Sequence, residues 1–327
     1  MDRLAWWGEP HGGDQAFAVM IFAFHASTPL LDRGFRRTGS DATLGGIIFH
    51  FLQKPFIMTS LAVTSVPHTD PAAGLGAPAA APVLLVTGAS RGIGAATARL
   101  AARAGWDVAI NYVRDAAAAE ALACEVRSLG RRALTVQADV AEEAQVVDMF
   151  EQVDRGLGRL GGLVNNAGIV DRNARLDEMD GTRLQRMVAV NLLGSLYCAR
   201  EAVRRMSPRH GGQGGSIVNI SSVAARLGSP GTYVDYAASK AAIDTLSVGL
   251  SREVAGEGIR VNALRPGIID TDIHADSGDR NRPQASAGVI PMARPGRADE
   301  VANAILWLLS AEASYTTGAI LDVAGAR

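Results

Sequence analysis

The chain has 327 residues, enough for one large domain and an extension, and 48% of them are hydrophobic, which is ample for a buried core. Lys and Arg number 32 and Asp and Glu 33, which excludes a strongly basic surface for nucleic acid or an anionic membrane. We therefore expect a small-molecule substrate, with no nucleic acid or membrane partner. The two cysteines lie outside any metal-ligand spacing, which favours a cytoplasmic setting and no metal site.

The first 82 residues differ from the rest of the chain. Their longest apolar run, 16–24, is too short to cross a bilayer, because a spanning helix needs about 20 residues. The stretch 71–82 is rich in Ala, Gly and Pro, which is typical of a linker. We predict a disordered extension and linker over 1–82 and one domain over 83–327. Met58 is an alternative start, in which case 1–57 do not belong to the native protein.

Short apolar runs alternate with amphipathic stretches from Val83 onward, the pattern of parallel strands joined by crossover helices. Nearly continuous Val, Ile and Leu character predicts strands buried on both faces. We therefore predict a single-domain α/β Rossmann fold, in which helices cover both faces of a doubly wound, seven-stranded parallel sheet. The predicted strands are 83–87, 107–112, 133–137, 163–165, 216–220, 260–264 and 319–322.

One connection, 269–295, lacks a sustained period and carries Gly, Pro, Asp and Asn. It is too long for an ordinary link between a strand and a helix. We predict a substrate lid there.

A glycine-rich turn follows the first predicted strand and leads into a predicted helix. It covers residues 87–94 and reads Thr-Gly-Ala-Ser-Arg-Gly-Ile-Gly. Glycines permit a tight turn and a close backbone approach, and a helix N-terminus attracts the charge of a pyrophosphate. We predict a dinucleotide site whose contacts include Gly88, Ser90, Arg91, Gly92, Ile93 and Gly94.

The end of the second predicted strand indicates which dinucleotide is bound. NAD sites carry an acidic residue there, whereas this chain has Asn111 and Tyr112. Arg91 in the turn and Arg114 just after the strand are suited to a 2′-phosphate. We predict that these four residues contact NADP (NADPH), with NAD as a possible alternative.

Tyr236 and Lys240 lie four residues apart at the start of an amphipathic stretch that reaches about residue 256. Positions i and i+4 share one face of a helix. Tyrosine has a pKa near 10, and a nearby ammonium group lowers it by stabilising the phenolate. The pair therefore predicts a tyrosine that acts as acid or base.

Further motifs follow the other predicted strands, and together with those above they resemble the short-chain dehydrogenase/reductase family across 83–327. They are Asp139-Val140, Asn165-Asn166-Ala167-Gly168, Ser221-Ser222, Pro266-Gly267 and Thr271, together with Asn191 in a long predicted helix. The resemblance implies additional cofactor contacts at Asp139, Val140, Asn166, Ala167, Gly168, Tyr236, Lys240, Pro266, Gly267, Ile269 and Thr271.

The resemblance also implies four catalytic residues. Tyr236 is expected to exchange a proton with the substrate oxygen, and Ser222 to bind that oxygen. Lys240 is expected to lower the pKa of Tyr236 and bind ribose, and Asn191 to hold a water that links Lys240 to solvent. Neighbouring residues of a strand point to opposite faces, so only one of Ser221 and Ser222 faces the cofactor, and we assign Ser222.

The family implies an NADP(H)-dependent oxidoreductase that interconverts a ketone or 3-oxo compound and a secondary alcohol, similar to bacterial 3-oxoacyl-ACP reductases. A sugar or polyol dehydrogenase of the glucose dehydrogenase type is the alternative. A non-catalytic NADP-binding regulator is less favoured because all four catalytic residue types are present. The resemblance further implies a homodimer or a homotetramer.

Overall fold

The computed structural model describes residues 81–273, 278–279 and 281–327, which belong to the compact unit Pro71–Arg327. The predicted extension and linker lie almost wholly outside the described residues, so the disorder of 1–82 stays a prediction. The described residues include all seven predicted strands.

Seven parallel strands form the main sheet, in the order β3-β2-β1-β4-β5-β6-β9. The chain starts in the middle of the sheet, builds one side through β2 and β3, and then returns to build the other side from β4. The predicted doubly wound, seven-stranded parallel sheet is therefore confirmed. The strands among the described residues are β1 Val83–Val86, β2 Asp107–Tyr112, β3 Ala133–Gln137, β4 Leu160–Asn165, β5 Gly215–Ile220, β6 Ile259–Pro266, β7 Ile269–Asp270, β8 Gly296–Arg297 and β9 Ile320–Val323.

Helices cover both faces of this sheet, and each face has its own core. Leu84 and Val86 of β1 pack with α1, α2 and α9, whereas Val83 and Leu85 pack with α3, α5 and α7, because successive strand side chains point to opposite faces. No helix among the described residues is both long and apolar enough to cross a membrane. The helices are α1 Gly92–Arg103, α2 Ala116–Ser128, α3 Glu143–Gly156, α4 Gly181–Val188, α5 Gly194–Met206, α6 Ala224–Leu227, α7 Val234–Val254, α8 Arg282–Ala285 and α9 Ala298–Leu309.

Strand β4 begins at Leu160, earlier than its apolar run predicts, because Gly161 and Gly162 belong to it. A Cβ on Gly162 would lie 2.7 Å from Cδ1 of Leu84 and 3.2 Å from the ring of Trp106. Neighbouring side chains thus fill the space that a side chain at position 162 would need. The glycines interrupt the hydrophobic pattern without interrupting the strand.

The segment predicted as a lid contains short regular elements. Strand β7 at its start pairs in parallel with β8 just beyond its end, and α8 and a 3₁₀ turn at Ala287–Val289 lie between them. This second sheet was not predicted, because two-residue strands leave no periodic signal. Residues 274–277 and 280 lie outside the described residues, and the lid role stays a prediction.

Candidate active site

A cleft that is open to solvent lies at the carboxyl ends of the central strands. In doubly wound sheets this edge, near the point where the strand order reverses, is where ligands bind. The predicted site residues that line the cleft are Ile93, Asn166, Gly168, Ser222, Tyr236, Lys240, Gly267, Ile269 and Thr271.

The glycine turn has the backbone that its sequence predicts. Gly88 and Gly92 have φ values of 60° and 56°, in the left-handed region that favours glycine. A Cβ on Gly88 would come within 3.0 Å of the Ala167 backbone, so the turn packs tightly against the end of β4. Helix α1 begins at Gly92, and its second residue, Ile93, lines the cleft. An exposed helix N-terminus next to glycines is suited to a pyrophosphate, so this region fits a dinucleotide.

Polar side chains fasten the glycine turn to β4. The Thr87 hydroxyl oxygen accepts hydrogen bonds from the backbone N–H groups of Asn166 and Ala167, at 3.0 and 2.9 Å. The Asn166 amide donates to the carbonyl oxygens of Thr87 and Gly88, at 2.8 and 3.0 Å. Both donors of the Asn166 amide are therefore used on the backbone, and its first role is to hold the turn in place.

The structure corrects the prediction for Asn111. Its side chain is fully buried, accepts from the N–H of Gly88 at 3.0 Å, and donates to the carbonyl oxygens of Val136 and Ala138 at 3.3 and 2.9 Å. Asn111 therefore supports the turn from behind and presents no polar group to a ribose. Asn111 lies near the end of β2, as predicted, but burial there directs its side-chain amide to backbone groups of the protein.

The other residues predicted near the adenosine end lie outside the cleft, around β2. Tyr112 is half-buried, whereas Arg91 and Arg114 are exposed. Asp115, which follows Arg114 in sequence, caps α2 by accepting from the N–H of Ala118 at 2.9 Å. Exposed guanidinium groups at the glycine turn and after β2 fit a 2′-phosphate.

Three further predicted contacts, two just after β3 and one at the end of β6, also lie outside the cleft. Asp139 accepts from the N–H of Ala141 at 3.0 Å, and the Val140 side chain is buried in the core beside Gly194 of α5. The contact predicted for Val140 therefore stays a prediction, and its backbone is the part of the residue that is available to a ligand. Pro266 is buried at the end of β6, and its carbonyl oxygen accepts from the N–H of Val223 at 3.1 Å.

Tyr236 lies in the first turn of α7, which begins at Val234. Part of its ring surface faces the cleft, but burial raises its pKa to about 12, while a hydrogen bond with Ser222 acts in the lowering direction. The direction is opposite to the predicted one, because burial disfavours the charged phenolate. The Nζ of Lys240 lies 5.7 Å from the Tyr236 ring centre.

Lys240 lies one turn further along α7 and is buried. Its Nζ donates to the carbonyl oxygen of Ile220, at the end of β5, at 2.7 Å. Burial lowers the pKa of Lys240 to about 8, and the charge of Asp244 opposes that shift. A backbone carbonyl therefore fixes an ammonium group whose proton is held only moderately tightly.

The two serines after β5 point to different partners, as strand alternation predicts. The Ser221 hydroxyl donates to the carbonyl oxygen of Lys240 at 2.9 Å and is buried. Ser222 lines the cleft with Tyr236, its hydroxyl lowers the pKa of Tyr236, and its oxygen accepts from the N–H of Ala224 at 3.1 Å. The geometry thus pairs Ser222, rather than Ser221, with the tyrosine hydroxyl.

Asn191 lies in a π-helical segment, Ala189–Leu193, between α4 and α5. Its side chain accepts from the N–H of Ile169 at 2.8 Å and donates to the carbonyl oxygen of Ile169 and the hydroxyl of Ser239, at 3.0 and 3.2 Å. A Cβ on Gly168 would lie 3.3 Å from both Oδ1 of Asn191 and Nζ of Lys240. The two side chains approach each other across a glycine, and π-helical insertions of this kind are frequent at functional sites.

The structure adds cleft residues that the motifs did not identify. Tyr233 packs edge-on against Tyr236, with ring centres 5.5 Å apart, and Arg282 and Arg327 line the same side of the cleft. Tyr233 lies just before α7, three residues from Tyr236, and this spacing was a usable signal for the first of these. Arg282 lies in the aperiodic segment, so nothing in the sequence placed it here.

Known proteins match this chain over the region that contains the cleft. The family model described as enoyl-(acyl carrier protein) reductase matches residues 88–325. The oxidoreductase YgfF of Escherichia coli K12 is 51% identical over 75% of this chain and 99% of its own length. The 3-oxoacyl-[acyl-carrier-protein] reductase FabG of Staphylococcus aureus is 37% identical over 74% of this chain and 96% of its own. The crystal structure of a short chain dehydrogenase from Burkholderia cenocepacia J2315 in complex with NADP has a TM-score of 0.69 and 34% identity, covering 75% of this chain and 96% of that one.

Proposed function

Because the chain belongs to the short-chain dehydrogenase/reductase family of oxidoreductases, we propose that it uses NADPH to reduce a ketone to a secondary alcohol, or NADP to perform the reverse reaction. The observation that carries this proposal is the contact between Ser222 and Tyr236 in the cleft, with Lys240 one turn behind. A carbonyl oxygen placed between the two hydroxyls would meet two hydrogen-bond donors. No second proton donor is needed.

In this proposal the cofactor, when bound, supplies or accepts two electrons as hydride, and one proton completes the change between ketone and alcohol. In the reductive direction the Tyr236 hydroxyl gives its proton to the oxygen, and the Ser222 hydroxyl donates a hydrogen bond to the same atom. The ammonium of Lys240 stabilises the resulting phenolate by its charge. Ser221 and Ile220 hold α7 and the lysine against β5, which keeps the donors aligned.

The choice of NADP rests on the arginines near the end of β2. Arg91 and Arg114 are exposed there, while Asp115 is engaged as the cap of α2. The 2′-phosphate of NADP would gain charge-assisted hydrogen bonds from guanidinium groups at this place. The glycine turn, with α1 behind it, would hold the pyrophosphate. We expect a higher kcat/KM with NADPH than with NADH. An R114Q variant should lower the ratio of kcat/KM with NADPH to kcat/KM with NADH.

The proposal extends to the assembly and the setting. Leu193 and Leu196 are partly exposed near the start of α5, which is consistent with a helix that packs against a second copy in a homodimer or homotetramer. Cys124 and Cys198 are both free thiols, which is consistent with a reducing, cytoplasmic setting. Sedimentation at several protein concentrations would decide the assembly.

The test of the proposed reaction is the Y236F variant, which keeps the ring and its contact with Tyr233 but removes the transferable proton. We expect kcat/KM for ketone reduction to fall by at least about 100-fold, the usual contribution of a positioned acid. Cofactor affinity, followed by NADPH fluorescence, should stay near the wild-type value.

Tyr315 offers a matched control because it is fully exposed beyond α9. The Y315F variant should keep wild-type turnover with every substrate in a panel of ketones, sugars and polyols. Wild-type turnover in Y236F would contradict the proposed role of Tyr236. Tight NADPH binding without turnover of any panel member would favour a non-catalytic regulator.

A further inference from the structure

The charged residues that line the cleft all carry positive charge. Lys240, Arg282 and Arg327 are present, and no Asp or Glu is among the described residues of the lining. Lys240 lies behind the tyrosine and donates to Ile220. Arg282 and Arg327 both act electrostatically on Tyr233, whose ring packs against Tyr236.

Arg282 is held close to the reacting hydroxyl by two tyrosines. Its guanidinium carbon lies 4.8 Å from the ring centre of Tyr233, and that ring packs edge-on against Tyr236 at 5.5 Å. These two distances place the guanidinium within about 10 Å of the Tyr236 ring centre, a length that a small ligand spans. The charge of Arg282 also acts on the pKa of Tyr236 in the lowering direction.

Within the described ranges, no Asp or Glu side chain forms an ion pair with Arg282 or Arg327, although the neighbouring Arg226 pairs with Asp322 at 2.9 Å. The main-chain oxygen of Arg327 accepts from Arg226 at 3.0 Å. Two half-buried guanidinium groups that pair with no Asp or Glu among the described residues can each bind a carboxylate.

We propose that the substrate carries a carboxylate, which Arg282 and Arg327 bind while Ser222 and Tyr236 hold the carbonyl oxygen. This inference rests on the proposed function and narrows it to small oxo acids and their hydroxy acids. Val170, Leu227 and Ile273 line the cleft beside the arginines and fit a short apolar chain between the two groups. A thioester or a sugar presents no charge at that distance, so neither uses the guanidinium groups.

The test compares 4-oxopentanoate with its methyl ester, because the two share one ketone and differ only in charge. With NADPH, the wild-type enzyme should show a kcat/KM at least about tenfold higher for the acid, as expected for a charge-assisted contact. In R282Q, and more so in the R282Q and R327Q double variant, this ratio should fall towards one, mainly through a higher KM for the acid. The R159Q control removes an exposed arginine before β4 and should keep the wild-type ratio.

Calorimetry in the presence of NADP separates failure of this inference from failure of the proposed function. Acid binding in the wild type that is lost in R282Q supports the anion site even if no ketone is reduced. Equal kcat/KM for acid and ester, or equal binding of the two when neither is reduced, overturns the inference. Unchanged discrimination in the double variant overturns it as well.

Discussion

The two sides of the cleft use polar residues in opposite ways. On the glycine-turn side, Thr87, Asn111 and Asn166 direct their side chains to backbone groups and thereby fix the shape of the loop. On the tyrosine side the backbone fixes side chains, as when the carbonyl oxygen of Ile220 holds Lys240. The first side thus presents a shaped main chain, and the second presents titratable groups.

This difference follows from what each side would bind. A pyrophosphate is recognised by N–H groups and a helix N-terminus, so precision is needed in the main chain. Proton transfer needs a side chain whose pKa can be shifted, so precision is needed at Tyr236 and Lys240. Burial shifts the pKa of both residues, and in both cases it disfavours the charged form.

Replacing Asn111 tests the glycine-turn side and should have the largest effect on stability. N111L leaves the N–H of Gly88 and the carbonyl oxygen of Ala138 without their buried partner. We expect the free energy of unfolding to fall by about 2–4 kcal/mol, because each buried unpaired group costs about 1–3 kcal/mol. Urea unfolding measures this loss in the free energy of unfolding. N173L, at an exposed asparagine, should change stability by less than about 0.5 kcal/mol, and equal effects in the two variants would remove the distinction between the sides.

The sequence predicted the fold well because the strands are apolar runs between recognisable turns. The bounds of β2 and β3 agree with the structure. The bounds of β4 do not, because Gly161 and Gly162 carry no hydrophobic signal although they are packed under Trp106. The small β7 and β8 sheet is set by tertiary contacts over two residues each, which no local pattern reveals.

The candidate site was predictable as far as motifs reach. Residues whose chemistry depends on spacing, such as Tyr236 and Lys240, lie together in the cleft. The sequence did not reveal in which direction each side chain points. The side chains of Asn111 and Val140 are buried in the protein. Arg282 could not be found in advance, because it reaches the cleft from a segment without periodicity.

Replacing Lys240 tests the tyrosine side through pH. The pKa of Lys240 is about 10.5 in the unfolded chain and about 8 in the folded protein. Between these pH values unfolding takes up a proton, so the free energy of unfolding of the wild type rises with pH. The K240M variant has no titratable side chain at this position, so it lacks this pH dependence. Between about pH 7 and 10, the free energy of unfolding of the wild type, measured with urea, should rise by about 2–3 kcal/mol relative to that of K240M. A difference that does not vary with pH would show that Lys240 is not destabilised by burial.

Gly94 provides a sharper test of the backbone on the glycine-turn side. A Cβ there would lie 2.8 Å from the carbonyl oxygen of Gly88 and 2.9 Å from Cα of Ala89, and neither backbone atom moves easily. We expect G94A to lose about 1–3 kcal/mol and to weaken NADPH binding. The same change at Gly249 in α7, where nothing lies within 4 Å, should instead stabilise the helix by up to about 1 kcal/mol. Thermal unfolding compares the two, and a stabilising G94A would show that the loop tolerates a side chain.

The turn before α7 should give the smallest effect, and it contrasts the two sides once more. The glycine turn reaches positive φ with glycines, whereas Ser229 adopts φ 48° with a side chain, so its backbone is strained. Ser229 still holds the turn, because its carbonyl oxygen accepts from the hydroxyl of Thr232 at 2.9 Å, a bond that S229G keeps. We expect S229G to raise the free energy of unfolding by up to about 1 kcal/mol, whereas G231A, at φ 70° in the same turn, should lower it by a similar amount. Urea unfolding of both variants gives the signs. If S229G lowers the free energy of unfolding, the Ser229 side chain stabilises the turn by more than its backbone strain costs. The turn then belongs with the tyrosine side of the cleft, where side chains carry the function.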